Sequence, residues 1–374
     1  MSIEIQPELY KIPDYLSDIS VKKSQKIITD LSANENALGP SPMAVSAFVE
    51  STQTLSRYPD GECRQLRLAL ANKHILDPNQ IACGAGSDEL ISLITRAFVR
   101  PGDEVLFPEF GFIMYKLHAL KQFAIPIEAP SYNLNPDIDT LLSHITKKTK
   151  LIFIANPNNP TGSYLPKNKI KILLEKIPKH IPLVIDSAYS ELIRFDDYSD
   201  SMEFTQQHSN LIILKTFSKI YALAALRVGW CYGSHTLIDL IHRVRGPYNV
   251  STPAQQAAIA ALKDDEHTEL SYQHNKKWLA ELNSSLINLG LRVTASVGNF
   301  ILLKLKDEKQ ADHLYSFLLN QGILVRPLKN YNLNNYLRIT VGLEKENLSF
   351  IETMKTYVCA LKDKPSSAHS HTTD

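Results

Sequence analysis

From about residue 80 onward, short runs of apolar residues alternate with segments in which apolar residues recur with the period of a helix. The apolar runs predict strands at residues 81–84, 104–108, 151–156, 181–186 and 211–216. The segments between them predict helices at residues 87–98, 111–122 and 165–177. Strands that are apolar throughout and alternate with helices indicate a parallel sheet that is buried on both faces. In such a sheet, ligand-binding groups collect at the carboxyl ends of the strands.

The pattern changes near residue 250, where two predicted helices follow one another directly, at residues 251–262 and 266–289. After them come predicted strands at residues 300–305, 323–327 and 336–341 and predicted helices at residues 309–319 and 344–361. This order indicates a smaller α+β domain that follows the α/β domain. We therefore divide the chain into an N-terminal arm (1–30), a large domain (31–248, with 31–45 bordering the small domain), a small domain (249–361) and a polar, disordered tail (362–374).

The charge balance and the cysteine pattern argue against several kinds of protein. Lys and Arg number 40 and Asp and Glu number 39, so the composition does not favour binding to nucleic acid or to an anionic membrane. No apolar run approaches the roughly 20 residues that span a bilayer, and the N-terminus lacks the apolar core of a secretory signal. The four cysteines show neither metal-site nor disulfide spacing, and His369 and His371 belong to the polar tail. We therefore expect no metal site and a cytoplasmic location.

A glycine-rich turn follows the first predicted strand and opens the first predicted helix. Gly86 lets the backbone approach a ligand closely, and the free N–H groups of a helix that starts near Ser87 can bind a phosphate. The turn by itself is a weak signal, because a tight turn with a serine N-cap has the same sequence.

Polar residues also follow later strands. Asn159 lies in the loop NPNNPTG (156–162), where its amide could donate to a ligand oxygen or only shape a turn. Asp186 ends an apolar strand, with Tyr189 three residues later, and a carboxylate in such a setting needs a partner. That partner could be a helix N-terminus, an arginine or the protonated nitrogen of a heterocycle.

Lys219 and Arg227 follow the strand LIILKT, and the hydroxyl residues Thr216 and Ser218 precede the lysine. Apolar surroundings disfavour a charged amine, so we predict a lowered pKa and a nucleophilic Lys219. A lone lysine in this position is more often a surface residue whose stem lies on apolar neighbours. Together, however, the turn, the amide, the carboxylate and the Lys–Arg pair are the groups that pyridoxal 5'-phosphate (PLP) requires.

These motifs make the chain resemble the fold-type I, class I/II aminotransferases, and among them the histidinol-phosphate aminotransferases. The resemblance covers roughly residues 10–360 and implies a large domain with a mostly parallel sheet plus a smaller α+β domain. The matching segments are ANENALGPSP (33–42), RYPDG (57–61), GAGSDEL (84–90), PEFGFIMY (108–115), NPNNPTG (156–162), DSAY (186–189), TFSKIYALAALRVGW (216–230), SVGNFIL (296–302), ILVRP (323–327) and YLRITVG (336–342).

The resemblance also implies which residues hold the cofactor and catalyse the reaction. Lys219 would bind PLP as a Schiff base and move a proton between the substrate Cα and the cofactor, and Asp186 would pair with the pyridine nitrogen. Asn159 and Tyr189 would hydrogen-bond the phenolic oxygen of the ring, and Phe110 would stack on its face. The residues implied to hold the phosphate are Gly86, Ser87, Thr216, Ser218, Arg227 and, across a homodimer interface, Tyr58.

The same resemblance places Tyr10, Asn34, Arg326 and Arg338 around the substrate. It implies an amino transfer from L-histidinol phosphate to 2-oxoglutarate, which yields imidazole-acetol phosphate and L-glutamate. Two arginines suit a phosphate dianion, although Arg326 could instead form only a surface salt bridge. The alternative functions are an aromatic or other amino-acid aminotransferase, a PLP-dependent amino-acid-phosphate decarboxylase, and a cofactor-binding protein without activity.

Overall fold

The computed structural model describes residues 6–12 and 28–362, so most of the predicted arm, the predicted tail and its two histidines lie outside the described residues. In the described part the strands are β1 (Thr29–Asp30), β2 (Ile81–Gly84), β3 (Glu104–Pro108), β4 (Ile125–Ala129), β5 (Thr149–Ala155), β6 (Leu183–Asp186), β7 (Leu211–Thr216), β8 (Gly229–Gly233), β9 (Arg292–Thr294), β10 (Phe300–Lys304), β11 (Ile323–Leu324), β12 (Arg326–Leu328) and β13 (Leu333–Thr340). The helices are α1 (Pro42–Ser51), α2 (Arg64–His74), α3 (Ser87–Phe98), α4 (Ile113–Lys121), α5 (Ile138–Ser143), α6 (Lys167–Lys176), α7 (His235–Val244), α8 (Thr252–Ala261), α9 (Asp265–Asn288), α10 (Glu308–Asn320) and α11 (Glu344–Lys362).

Seven strands form the large sheet, in the order β2-β8-β7-β6-β5-β3-β4. Five of them, β7, β6, β5, β3 and β4, run parallel to their neighbours in this order. Strand β8 is antiparallel to both β2 and β7, which the apolar pattern did not predict. The predicted mostly parallel α/β sheet is therefore confirmed.

The strands of the large sheet are continuous apolar runs because both faces of this sheet are buried. In β6, Val184 packs into a core that includes residues of α3, α4 and α7, whereas Leu183 and Ile185 pack into a core with α5 and α6. Successive side chains of a strand point to opposite faces, so every position must be apolar when helices cover both faces.

The parallel strands bring their carboxyl ends to one edge of the sheet. Ala155, the last residue of β5, is in register with Asp186, which ends β6, and Asp186 is in register with Leu214 of β7. The segments that follow these strands, which carry Asn159, Tyr189 and Lys219, therefore start side by side.

A second, antiparallel sheet has the order β12-β13-β10-β9 and packs against α9, α10 and α11 around its own apolar core. The predicted single strand 323–327 is wrong in detail, because it divides at Val325. Strand β11 pairs in parallel with β1, whereas β12 pairs with β13 and places Arg326 opposite Arg338. At Val325 the chain leaves the strand pair β1–β11 and joins the antiparallel sheet. The sequence around Val325 is mostly apolar, so its periodicity does not reveal this change of sheet.

The division into domains remains a proposal, and two contacts bear on its boundary. Helix α8 follows the proposed boundary at residue 249, yet its alanines share a core with α1, α2 and β2 of the large domain. In the opposite direction, Leu31 packs into the core of the small domain. A linear boundary therefore describes the packing only approximately.

Within the described residues, no helix is long and apolar enough to cross a membrane, and no cluster of three or more His, Cys, Asp or Glu side chains is arranged to hold a metal. All four cysteines lie in this part of the chain and are unpaired, and three of them are buried.

Candidate active site

A cavity of about 300 Å³ lies where the carboxyl ends of β5, β6 and β7 meet the antiparallel sheet. Most of the predicted site residues line it. From the cofactor group these are Ser87, Asn159, Asp186, Tyr189, Thr216, Ser218, Lys219 and Arg227, and from the substrate group they are Asn34, Arg326 and Arg338. Residues far apart in sequence thus converge because parallel strands end at the same edge.

One end of the cavity is suited to an anion. Gly86 has φ +86° and lies directly before α3, and a Cβ at this position would be 2.5 Å from Nη2 of Arg227. Only glycine lets the guanidinium approach the turn this closely. The first N–H groups of a helix carry partial positive charge and lack partners inside the helix. The arginine and the helix start therefore form a site that fits a phosphate, as PLP requires.

Hydroxyl groups complete this anion site. Ser218 donates its N–H to Oγ1 of Thr216 at 3.1 Å, which fixes the turn between them. Arg227 has φ +51° and donates from Nη1 to the carbonyl of Ala224 at 2.9 Å, so its guanidinium is held in place before any ligand arrives. Preorganised donors of this kind lose little entropy on binding.

Asp186 is a buried carboxylate at the end of β6. Its Oδ2 accepts from the Tyr115 hydroxyl at 2.9 Å, and its Oδ1 accepts from the N–H of Ala188 at 3.2 Å. Burial raises the pKa of Asp186 to about 6, while these two hydrogen bonds and the charge of Lys219 favour the ionised form. Among the described residues, its hydrogen-bond partners are thus a tyrosine and a backbone N–H rather than an arginine or a helix N-terminus. Its oxygens can accept from a protonated ring nitrogen as well.

Lys219 lies on the cavity wall close to Asp186. Its Nζ donates to the carbonyl of Asn34 at 2.9 Å and lies 5.6 Å from the centre of the Tyr189 ring. Burial and then the charge of Arg338 lower the pKa of Lys219 to about 7, against the opposing effect of Glu35. A large fraction of this amine is therefore neutral near pH 7 and can act as a nucleophile or a base.

Asn34 joins the two sheets at the cavity. Its side-chain N–H donates to the Tyr189 hydroxyl at 2.9 Å, and its Oδ1 accepts from Thr340 at 3.2 Å. Its positive φ of 54° turns the backbone so that its carbonyl reaches Lys219. The side chain thus positions the tyrosine, and the backbone positions the lysine.

Arg338 and Asn159 form the second link across the cavity. Arg338 donates to Oδ1 of Asn159 at 2.7 Å and to the carbonyl of Ser32 at 2.6 Å. The oxygen of the Asn159 amide is thus engaged, and its NH₂ group donates to no residue in the described part of the chain. Two N–H donors can therefore point to a ring oxygen of a bound cofactor.

Arg326 is buried beside Arg338 rather than at the surface. The two residues are directly opposite in the β12–β13 register, so their side chains project from the same face of the sheet. Both line the cavity, together with Tyr331, which the sequence did not indicate. Two cations on one wall make this wall a second place for an anion.

Four predicted residues do not line the cavity. Gly86 shapes the anion site next to Arg227, as described above. Phe112 lines the cavity, whereas Phe110 does not. The carbonyl of Phe110 accepts a hydrogen bond from the side chain of Asn158 at 2.8 Å. Tyr10 is 78% exposed, and Tyr58 is 83% exposed and stacks on Tyr248 with ring centres 4.8 Å apart.

Several other wall residues were not predicted as site residues from the sequence. Phe112 lies in the matching segment PEFGFIMY, two positions after Phe110, and Glu35 lies in the matching segment ANENALGPSP. Asp88 gave no signal beyond its place in the first turn of α3, where its Oδ1 contacts Nε2 of His118 at 2.9 Å. Tyr331 gave none, because it lies between strands and has no motif around it.

Comparison with known proteins adds independent findings. The family model for aminotransferase class I and II matches residues 26–351. The histidinol-phosphate aminotransferase of Paramagnetospirillum magneticum is 42% identical over 357 residues, which are 95% of this chain and 98% of the relative. That of Rhodopseudomonas palustris strain TIE-1 is 41% identical over 333 residues, 88% of this chain and 90% of the relative. The crystal structure of histidinol-phosphate aminotransferase from Sinorhizobium meliloti in complex with pyridoxal-5'-phosphate matches with a TM-score of 0.90 at 25% identity, covering 96% of this chain and 99% of that one.

Proposed function

Because the chain belongs to the class I and II aminotransferases, we propose that it is a PLP-dependent enzyme that transfers the amino group of L-histidinol phosphate to 2-oxoglutarate. The products are imidazole-acetol phosphate and L-glutamate, which places the enzyme in histidine biosynthesis. The observation that carries the substrate assignment is the buried pair of Arg326 and Arg338 on one wall of the cavity. A phosphate dianion requires more positive charge than a carboxylate, and two guanidinium groups provide it.

The residues of the cavity fit PLP group by group. The start of α3 with Arg227, Ser218 and Thr216 would hold its phosphate, and Asp186 would pair with its ring nitrogen. Asn159 and Tyr189 would donate to its phenolic oxygen. The aromatic residue on the wall is Phe112, so we assign the ring-stacking role to Phe112 instead of Phe110. When bound, PLP supplies an electron-withdrawing ring that stabilises negative charge at the substrate Cα.

The protein itself supplies the base. Lys219 Nζ is held by the carbonyl of Asn34 and has a pKa of about 7, so at neutral pH it can take the proton from the substrate Cα and later return it. Arg338 and Glu35 act on this amine with opposite signs, and the arginine has the larger effect. Binding of the substrate phosphate at the two arginines would orient the substrate Cα toward the amine and keep water from the site.

The substrate assignment predicts a selective effect of Arg326→Ala. We expect the KM for L-histidinol phosphate to rise roughly 30-fold, because a charge-assisted contact of about 2 kcal/mol is lost. The effect on phenylalanine, which has no phosphate, should be far smaller. Steady-state kinetics with both amino donors measures this difference.

The matched control is Arg292→Ala, which removes an exposed arginine from the edge strand β9 of the same sheet and should change neither KM. Equal losses with both donors for Arg326→Ala would remove the phosphate clamp. The aromatic aminotransferase would then become the better assignment.

We also propose that the enzyme is a cytoplasmic homodimer. Helix α1 and the segment after it present apolar side chains to the solvent of a single chain, and a second copy is the partner that would cover them. The exposed residues are Met43, Val45, Phe48, Val49, Leu55 and Tyr58. The unpaired cysteines agree with a reducing compartment.

The homodimer assigns a role to Tyr58, whose hydroxyl would reach the cofactor phosphate of the partner subunit. Tyr58→Phe should then weaken PLP binding about 10-fold through loss of one hydrogen bond to a charged group. Titration of the cofactor-free protein with PLP measures the affinity, and light scattering should report a dimer. Tyr132→Phe changes another exposed tyrosine and should leave the affinity unchanged. A fully active monomer would contradict the assignment.

A further inference from the structure

Tyr115 is a fully buried residue of α4 that contacts the carboxylate at the centre of the cavity without lining the cavity itself. Its hydroxyl donates to Oδ2 of Asp186 at 2.9 Å. Its ring stacks on Phe153, with centres 4.6 Å apart and planes 5° apart, and meets the edge of Phe112 at 5.9 Å. The phenol is therefore fixed between apolar rings, and its direction is set by packing.

The proton of this hydrogen bond belongs to the tyrosine. Burial, and then the charge of Asp186, raise the pKa of Tyr115 well above its ordinary value, so the phenol stays protonated at every working pH. Facing a carboxylate, it can only donate. One oxygen of Asp186 thus receives a side-chain donor and the other a backbone donor, the N–H of Ala188.

We propose that Tyr115 is the positioning residue for the ring nitrogen of PLP, because its hydroxyl keeps Asp186 ionised and aimed at that nitrogen. The other titratable groups around this pair make contacts of their own. Lys219, which acts on Asp186, is the proposed base. Tyr189 and Tyr331 act on Tyr115; Tyr189 accepts from Asn34, and Tyr331 accepts from the N–H of Ile113 at 3.3 Å. The inference depends on the cofactor and not on the identity of the amino donor.

The first test follows the Asp186 carboxyl in the cofactor-free protein. Tyr115→Phe keeps the stacked ring and removes only the hydroxyl. Burial raises the pKa of Asp186 to about 6. In the variant the measured midpoint should be higher than in the unaltered chain by about one to two pH units, because a hydrogen bond to the ionised form is lost. Carbon NMR of carboxyl-labelled aspartate measures it, with Asp186→Asn to assign the resonance.

The matched control is Tyr357→Phe. Tyr357 is an equally buried tyrosine of the small domain, and its hydroxyl pairs with Nδ1 of His313 at 3.1 Å. Loss of this hydroxyl should leave the Asp186 midpoint where it is. An unmoved midpoint in Tyr115→Phe would overturn the proposal. If that variant does not fold, fluorotyrosine at position 115, a stronger donor of similar volume, should lower the midpoint.

The second test separates positioning from simple packing by measuring affinity instead of turnover. Tyr115→Phe should weaken PLP binding about 10-fold. It should change by less than about twofold the binding of an analogue that carries a C–H group in place of the ring nitrogen, since nothing on that analogue pairs with Asp186. Equal losses for both ligands would mean that the hydroxyl only supports the fold. Because no amino donor enters either test, failure of the substrate assignment would not affect them.

Discussion

Lys219→Ala should abolish steady-state transamination, with a loss of about 10⁴-fold or more. Among the residues that line the described cavity wall, Lys219 is the only one with an amine side chain, and its pKa is about 7. In the proposed mechanism, its removal would eliminate both the covalent attachment of the cofactor and the base that moves the Cα proton. PLP should still bind, because the anion site at Arg227 and the start of α3 is unchanged.

Two measurements check this expectation. Turnover with saturating PLP reports the loss, and borohydride reduction followed by mass spectrometry reports whether the cofactor is bound covalently at Lys219. Lys219→Arg is the control, since it places a long basic side chain near Asn34 but offers no nucleophile at neutral pH. Turnover close to that of the unaltered chain in Lys219→Ala would exclude the assigned mechanism.

Asp186→Ala should lower the rate at saturating PLP by at least about 100-fold. In the proposed mechanism the ring nitrogen would lose its carboxylate partner, and the ring would withdraw electrons from the Cα less strongly. Tyr115 would also be left with a buried hydroxyl that has lost its acceptor, which adds a cost to folding of about 1–3 kcal/mol.

Single-turnover kinetics at saturating PLP measures this effect on the rate directly. Asp196→Ala removes an exposed carboxylate from the segment after the same strand and should have no effect. A fall in PLP affinity without a fall in this rate would mean that Asp186 only anchors the ring.

The sequence predicted the elements whose signals are local. Helix 87–98 and the strands 81–84, 104–108 and 211–216 agree with the structure to the residue. Each is a mostly apolar run or a segment with a clear helical period, and each begins directly after a polar residue or a glycine. Strand β8, which runs antiparallel within the parallel sheet, was not predicted, because direction depends on the connection and not on composition.

Part of the site was also predictable, since residues that follow successive parallel strands must meet at one edge. That rule and the matching motifs predicted that Asn159, Asp186 and Lys219 lie together, and all three line the cavity, while their roles stay predictions. They could not distinguish Phe112 from Phe110, because both lie in the turn before α4 and only the path of that turn decides which ring faces the cavity. Tyr115 was not predicted as a partner of Asp186, since 71 residues separate the two.

Two lysines in the segment LIILKTFSK show what the sequence determined and what only the tertiary structure decided. The sequence alone determined that Lys215 lies within a buried strand and Lys219 just after it. Only the tertiary structure decided their chemistry. Glu191 at 3.0 Å and Asp200 at 3.1 Å raise the pKa of Lys215, whereas burial and the nearby Arg338 lower that of Lys219. Strand alternation is a local property, but a pKa depends on all charges and solvent around the group, and most of these come from distant parts of the chain.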